Sequence, residues 1–138
     1  MPQVQVAFIN GQKEWVAEVL QKGAPSADFQ VAWKPLRAPD AEKIAMLREA
    51  EYLVLHPAEL SGDLLRSAGR LRLIQLLTAG YDKVDLRLAA ELKIPVATNG
   101  GANAWSVAEH AVALLLALYK RILPCDSAVR AGRWRAAV

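Results

Sequence analysis

Short apolar runs alternate with amphipathic stretches along the first hundred residues. The runs at 4–9 (VQVAFI), 28–33 (DFQVAW), 51–56 (EYLVLH), 72–77 (RLIQLL) and 94–98 (IPVAT) have the length and β-branched content of strands. Between them lie segments of helical character. KEWVAEVLQKG (13–23) stops at Gly23, AEKIAMLREA follows Asp40, GDLLRSAG starts at Gly62, and VDLRLAAEL starts at Val84. Asp40 is expected to cap its helix, because an aspartate before the first turn can accept a bond from an unpaired amide. Strands separated by helices of this length predict right-handed βαβ units and a parallel sheet, hence an α/β fold.

The pattern changes after residue 100. GANAWSVAEHAVALLLALYKRI (101–122) reads as a loop running into one long helix. Ser106 and Glu109 fit the S-x-x-E capping box, in which each side chain satisfies an amide left free at the helix start. Polar or small residues recur at 106, 109, 110, 113, 117 and 120–121, and almost everything else there is apolar. A helix apolar around most of its girth must be covered on several sides, and one sheet covers one side. Residues 105–122 are therefore expected to associate with a partner, a second copy of the chain being the simplest. The domain expectation is 1–100 for the α/β unit and 101–138 for the apolar helix with the residues after it.

Composition agrees with a packed domain: 54% of the 138 residues are hydrophobic and 22% charged. The longest apolar run, 111–119, is shorter than the roughly 20 residues that cross a bilayer. The start, MPQVQVAFING, lacks the cationic and apolar regions of a signal peptide, so no membrane partner and a cytoplasmic location are expected. A lone cysteine, Cys125, allows no internal disulfide and fits a reducing compartment. Charge is uneven, with 7 basic against 9 acidic residues in 1–69 and 10 against 5 in 70–138. Arg130, Arg133 and Arg135 surround Trp134, but no nucleic-acid-binding signature accompanies them, and the stretch reads as a solvated helix end. No nucleic-acid partner and no metal site are expected.

An open parallel sheet binds ligands beyond the carboxyl ends of its strands. Three corners fall there: His56-Pro57, Thr78-Ala79-Gly80 and Asn99-Gly100-Gly101. Gly80 has no Cβ, so the chain can turn sharply and leave adjacent N–H groups pointing outward, a concavity suited to a carboxylate. The same glycine could serve the turn alone, and from the residues by themselves both readings stand.

The stretch LRLIQLLTAGYDKVDLRLAAELKIPVATNGGANAWSVAEHAVALLLALYKRI closely resembles the NAD-dependent D-2-hydroxyacid dehydrogenases, the family of phosphoglycerate, glyoxylate/hydroxypyruvate, D-lactate and NAD-dependent formate dehydrogenases. The resemblance rests on A-G-Y-D-x-V-D-L, then I-P-V, then N-x-x-S-V-A-E-H, in order across residues 71–134. It implies a flavodoxin-like substrate domain followed by a linking and dimerisation helix. It also implies that the amides of Ala79 and Gly80 receive the carboxylate of a small 2-oxo or 2-hydroxy acid. Asn103 would help to orient that carboxylate, or would only close the loop before the helix. Val107 would pack near the nicotinamide of NAD or NADP, or belong to plain core. His56 would line the substrate pocket, or be an ordinary turn residue. His110 and Cys125 gain no role, and no residue present is assigned to catalysis.

The family's dinucleotide site carries G-x-G-x-x-G, whose glycines bring backbone and helix N-terminus to the pyrophosphate. The eight glycines here, at 11, 23, 62, 69, 80, 100, 101 and 132, never form that pattern. The family's catalytic Arg, Glu and His lie beyond the matched stretch. The expectation is a truncated or split dehydrogenase, RAAV reading as a cut end, with no tight cofactor binding by this chain alone. The alternative is a stand-alone carboxylate-binding or dimerisation module. A flavodoxin-like receiver fits poorly, since FINGQ stands where acidic residues would cluster.

Overall fold

The computed structural model describes residues 3–11, 22, 28–56 and 59–134. Five parallel strands form one sheet: β1 (Val4–Asn10), β2 (Phe29–Pro35), β3 (Tyr52–His56), β4 (Leu73–Leu76) and β5 (Val96–Ala97). Their order is β2-β1-β3-β4-β5, that of flavodoxin-like doubly wound sheets. Three helices connect later strands: α1 (Asp40–Glu49), α2 (Gly62–Ser67) and α3 (Leu86–Glu91). Two more follow the sheet, α4 (Ala104–Tyr119) and α5 (Ile122–Arg130). The helix expected over 13–23 lies outside the described residues.

Alternation along the strands builds the core. Ala7, Ile9, Leu53, Leu55, Ile74 and Leu76 share one face of the sheet and form a contiguous cluster with Leu47, Leu64, Leu65, Leu88 and Ala89 of the helices. Leu47, Leu53 and Ile74 are wholly buried, each such side chain contributing about 1.5–3 kcal/mol by leaving water. On the opposite face Phe8 and Asn10 are also wholly buried, Asn10 being one of two buried polar residues among those described.

Helix starts differ in part from expectation. Asp40 is not a cap: it is the first residue of α1, Pro39 precedes it, and no side chain caps that end. Its carboxylate instead pairs with Lys43 at 2.7 Å. That ammonium is buried and also donates to the Leu36 carbonyl at 3.1 Å; a buried cation needs such partners. Ser61 caps α2 through the Leu64 amide. Asp85 caps α3, accepting from the amides of Arg87 and Leu88 at 3.1 and 3.0 Å.

The chain divides into two units, Met1–Gly100 and Gly101–Val138. In the second, the Ser106–Glu109 capping box is not formed. The helix starts earlier, at Ala104, with Asn103 at the cap position and no side-chain cap bond. Gly101, at φ 85°, closes a turn in which the Ala104 amide reaches its carbonyl at 3.1 Å, so helix begins before Ser106. Nor does the helix run on to 122. It ends at Tyr119, Arg121 takes a left-handed φ of 52°, and α5 begins at Ile122. No residue of α4 is buried within its unit. Among the described residues no helix is long and apolar enough to cross a membrane.

Candidate functional site

The carboxyl ends of β1, β3, β4 and β5 adjoin, and backbone bonds continue past their last residues. Gly11 donates to the His56 carbonyl at 3.1 Å, Leu77 to Leu55 at 3.0 Å, and Asn99 to Thr78 at 3.0 Å. The last bond ties the segment after β5 to the corner after β4. That corner is Thr78-Ala79-Gly80-Tyr81. The Thr78 hydroxyl donates to the Gly80 carbonyl at 2.9 Å, and the Val84 amide closes the following turn on the Tyr81 carbonyl at 3.0 Å. The amides of Ala79, Gly80 and Tyr81 have no acceptor among the described residues.

Gly80 turns without entering the left-handed region, since the glycines with positive φ among the described residues are Gly101 and Gly132. Its missing Cβ matters for space: a methyl there would stand 3.0 Å from Asp82 Oδ1. A pocket of about 140 Å³ opens beside it, lined by Leu55 and Leu76 at its floor and by Thr78, Gly80, Asp82 and Lys83 above. Its rim thus carries one acid and one base. An apolar floor beside a corner with free amides among the described residues suits a small molecule with a carboxylate head and a short carbon tail.

His56 ends β3, half-buried, and sits next in sequence to the Leu55 that pairs with Leu77. It is brought to the same sheet edge as Ala79 and Gly80. Its register partner on β1 is Asn10. Asn10 was not foreseen as a site residue, although a lone polar residue ending the apolar run VAFI was a usable signal. Its Oδ1 accepts from Trp33 Nε1 at 3.0 Å. The indole only donates, which fixes the amide orientation, and Nδ2 is buried without a partner among the described residues. Asn103 and Val107 belong to the second unit. Asn103 stands at the N-cap of α4, where its carbonyl accepts from the Val107 amide at 3.0 Å. Val107 is exposed within that unit. Among the described residues no cluster of His, Cys, Asp or Glu could hold a metal ion.

The catalytic-domain model of the D-isomer specific 2-hydroxyacid dehydrogenases matches residues 6–132. The chain belongs to that family. The glyoxylate reductase of Thermococcus litoralis is 34% identical over 105 residues, which cover 75% of this chain and 32% of the reductase. That of Aeropyrum pernix is 32% identical over 124 residues, 88% of this chain and 37% of its own length. The chain therefore spans about a third of the length of the curated relatives it matches. The D-lactate dehydrogenase of Aquifex aeolicus, solved with NAD and lactic acid, has a TM-score of 0.75 at 23% identity over 96% of this chain and 39% of that one. At that identity the likeness speaks for the fold. Family members bind NAD, as in that complex and in the 3-phosphoglycerate dehydrogenase of Entamoeba histolytica.

For the pyrophosphate of such a cofactor the sequence carries no G-x-G-x-x-G. Its cradle needs three glycines at G-x-G-x-x-G spacing. Gly100-Gly101 before α4 is followed by Ala102-Asn103-Ala104 instead.

Proposed function

We propose that this chain is the N-terminal substrate-domain part of an NAD(P)-dependent oxidoreductase acting on the CH–OH group of D-2-hydroxy acids. Its part in the reaction is to hold the acid. The amides of Ala79 and Gly80 donate to the carboxylate and His56 lines the adjoining edge; Asn103, at the start of α4, is the further residue this reading assigns to orienting the acid. Val107 offers an exposed apolar contact to the nicotinamide. The observation that carries this reading is the row of acceptor-free amides after β4, at the edge where α/β sheets bind ligands. When bound, the nicotinamide supplies the hydride exchange; the chain's own residues bind and orient the acid. No group here is assigned to move the hydroxyl proton, so the chain alone is expected to be inactive. Residues 1–100 are the substrate-domain portion and 101–138 the linking segment, in a soluble cytoplasmic protein.

The apolar exposure of α4 supports homodimerisation through 105–122. Trp105, Ala108, Val112, Ala113 and Leu116, with Glu109 among them, line a shallow groove along one side of the helix. Contiguous apolar surface of this kind is seldom left bare. The same observation favours the second reading, a binding or dimerisation module without catalysis.

The test pairs two measurements on the purified chain. NADH and NADPH consumption is followed with glyoxylate, hydroxypyruvate and pyruvate, and amide chemical shifts are followed during a pyruvate titration. Absence of turnover with saturable shifts at Ala79 and Gly80 is expected. Sustained turnover that follows the protein through purification overturns the substrate-half reading. Silent amides overturn the carboxylate role and leave the dimerisation module.

A further inference from the structure

Thr78 touches the corner twice. Its carbonyl accepts from the Asn99 amide at 3.0 Å, and its hydroxyl donates to the Gly80 carbonyl at 2.9 Å. There is no cis peptide among the described residues, so each peptide's N–H points away from its C=O. Fixing the Thr78 carbonyl therefore aims the Ala79 N–H, and fixing the Gly80 carbonyl aims the Tyr81 N–H. The peptide between them, which carries the Gly80 N–H, lies between two held planes. A hydrogen bond on the Gly80 carbonyl also polarises its peptide and makes Tyr81 a better donor.

We infer that Thr78 is the positioning residue of the carboxylate cradle, and that Tyr81 supplies a third main-chain donor beside those of Ala79 and Gly80. This rests on the proposed carboxylate role of the corner. It differs from a plain turn function in a checkable way. A threonine that only stabilises the turn affects melting and leaves the donors alone. A positioning threonine sets how strongly the Tyr81 amide responds to an anion.

The experiment is a pyruvate titration of the 138-residue chain followed at individual amides, for wild type, Thr78→Val and Thr78→Ser. Valine keeps the branched shape and removes the donor; serine keeps the donor. The expected result is a saturable shift at Ala79, Gly80 and Tyr81 in wild type. Affinity in Thr78→Val falls about fivefold, the scale of one neutral hydrogen bond, with the largest loss of amplitude at Tyr81. Thr78→Ser restores both. Should the valine variant fail to fold, Thr78→Ala removes the same donor with less bulk and carries the same expectation. Unchanged affinity and an unchanged Tyr81 shift in the donor-free variant, while wild type binds, overturn the inference and leave the carboxylate reading standing. No saturable shift in wild type removes both.

Discussion

Replacing Asn10 with aspartate probes whether the carboxyl edge of the sheet is dry at β1. The substitution is nearly isosteric and keeps an oxygen for Trp33 Nε1, which now sits 3.0 Å from Oδ1. The second oxygen takes the place of Nδ2, a wholly buried atom with no partner among the described residues. An ionised carboxylate there loses its hydration and gains no new donor, so its pKa in the folded chain rises. A carboxyl raised in this way leaves stability intact below the ordinary aspartate value, and stability is lost as pH rises from there through the folded value. Each pH unit in that window costs about 1.4 kcal/mol, and about three units separate the ordinary aspartate pKa from neutrality. The ceiling at pH 7 is therefore about 4 kcal/mol. Urea unfolding by circular dichroism, for wild type and Asn10→Asp side by side from about pH 4 to pH 8, reads the difference directly. That difference should be near zero at the acid end and reach about 3–4 kcal/mol at neutrality. A constant offset across the range would refute the reasoning, because it would mean that water reaches the end of β1.

Gly80→Ala places a methyl 3.0 Å from Asp82 Oδ1, but Asp82 is exposed and φ needs no glycine, so stability by urea melt should change by less than about 1 kcal/mol. Pyruvate affinity at the neighbouring amides should nonetheless drop severalfold, because the methyl crowds their approach. Asp85→Ala removes the acceptor of two amides at the start of α3 and should cost about 0.5–2 kcal/mol in the same melt. Leu116→Glu puts a charge into the α4 groove and should give monomer in sedimentation at concentrations where wild type associates; an unchanged distribution would place self-association elsewhere.

The strands were legible because each is a short apolar run with a clear alternation, and all five lie within two residues of the expected bounds at each end. His56 as the end of β3 and the corner after β4 followed from those runs. What the pattern misassigned was helix chemistry. Asp40 looks like a cap in one dimension, but the buried Lys43 one turn on has the stronger claim on its carboxylate. Ser106 and Glu109 have capping-box spacing, yet the glycine turn at 101 starts the helix before them. The break at Arg121 and the separate helix α5 had one marker, Pro124 in the first turn of α5, which cannot bond to the Lys120 carbonyl as a continuous helix would require. Asn10 escaped notice for another reason: its partner, Trp33, lies far along the chain. Thr78 was legible as part of the corner, but its bonds to the Gly80 carbonyl and the Asn99 amide were not.

The exposure of the corner limits what this chain can do with a substrate. Ala79, Gly80, Tyr81, Asp82 and Lys83 are all open to solvent within their unit, so amide–carboxylate bonds there compete with water. Three proposed charge-assisted bonds at the weak end of their range, about 1.5 kcal/mol each, would give about 4.5 kcal/mol, the free energy of a complex with Kd about half a millimolar. A small acid held that loosely is not fixed in one orientation, and hydride exchange needs the reacting carbon held close and aligned. Tight, oriented binding at this corner therefore requires a cover that excludes water and strengthens the same hydrogen bonds. On the proposed reading the amides after β4 would form one wall of a binding cleft, and the rate would depend on what closes against it.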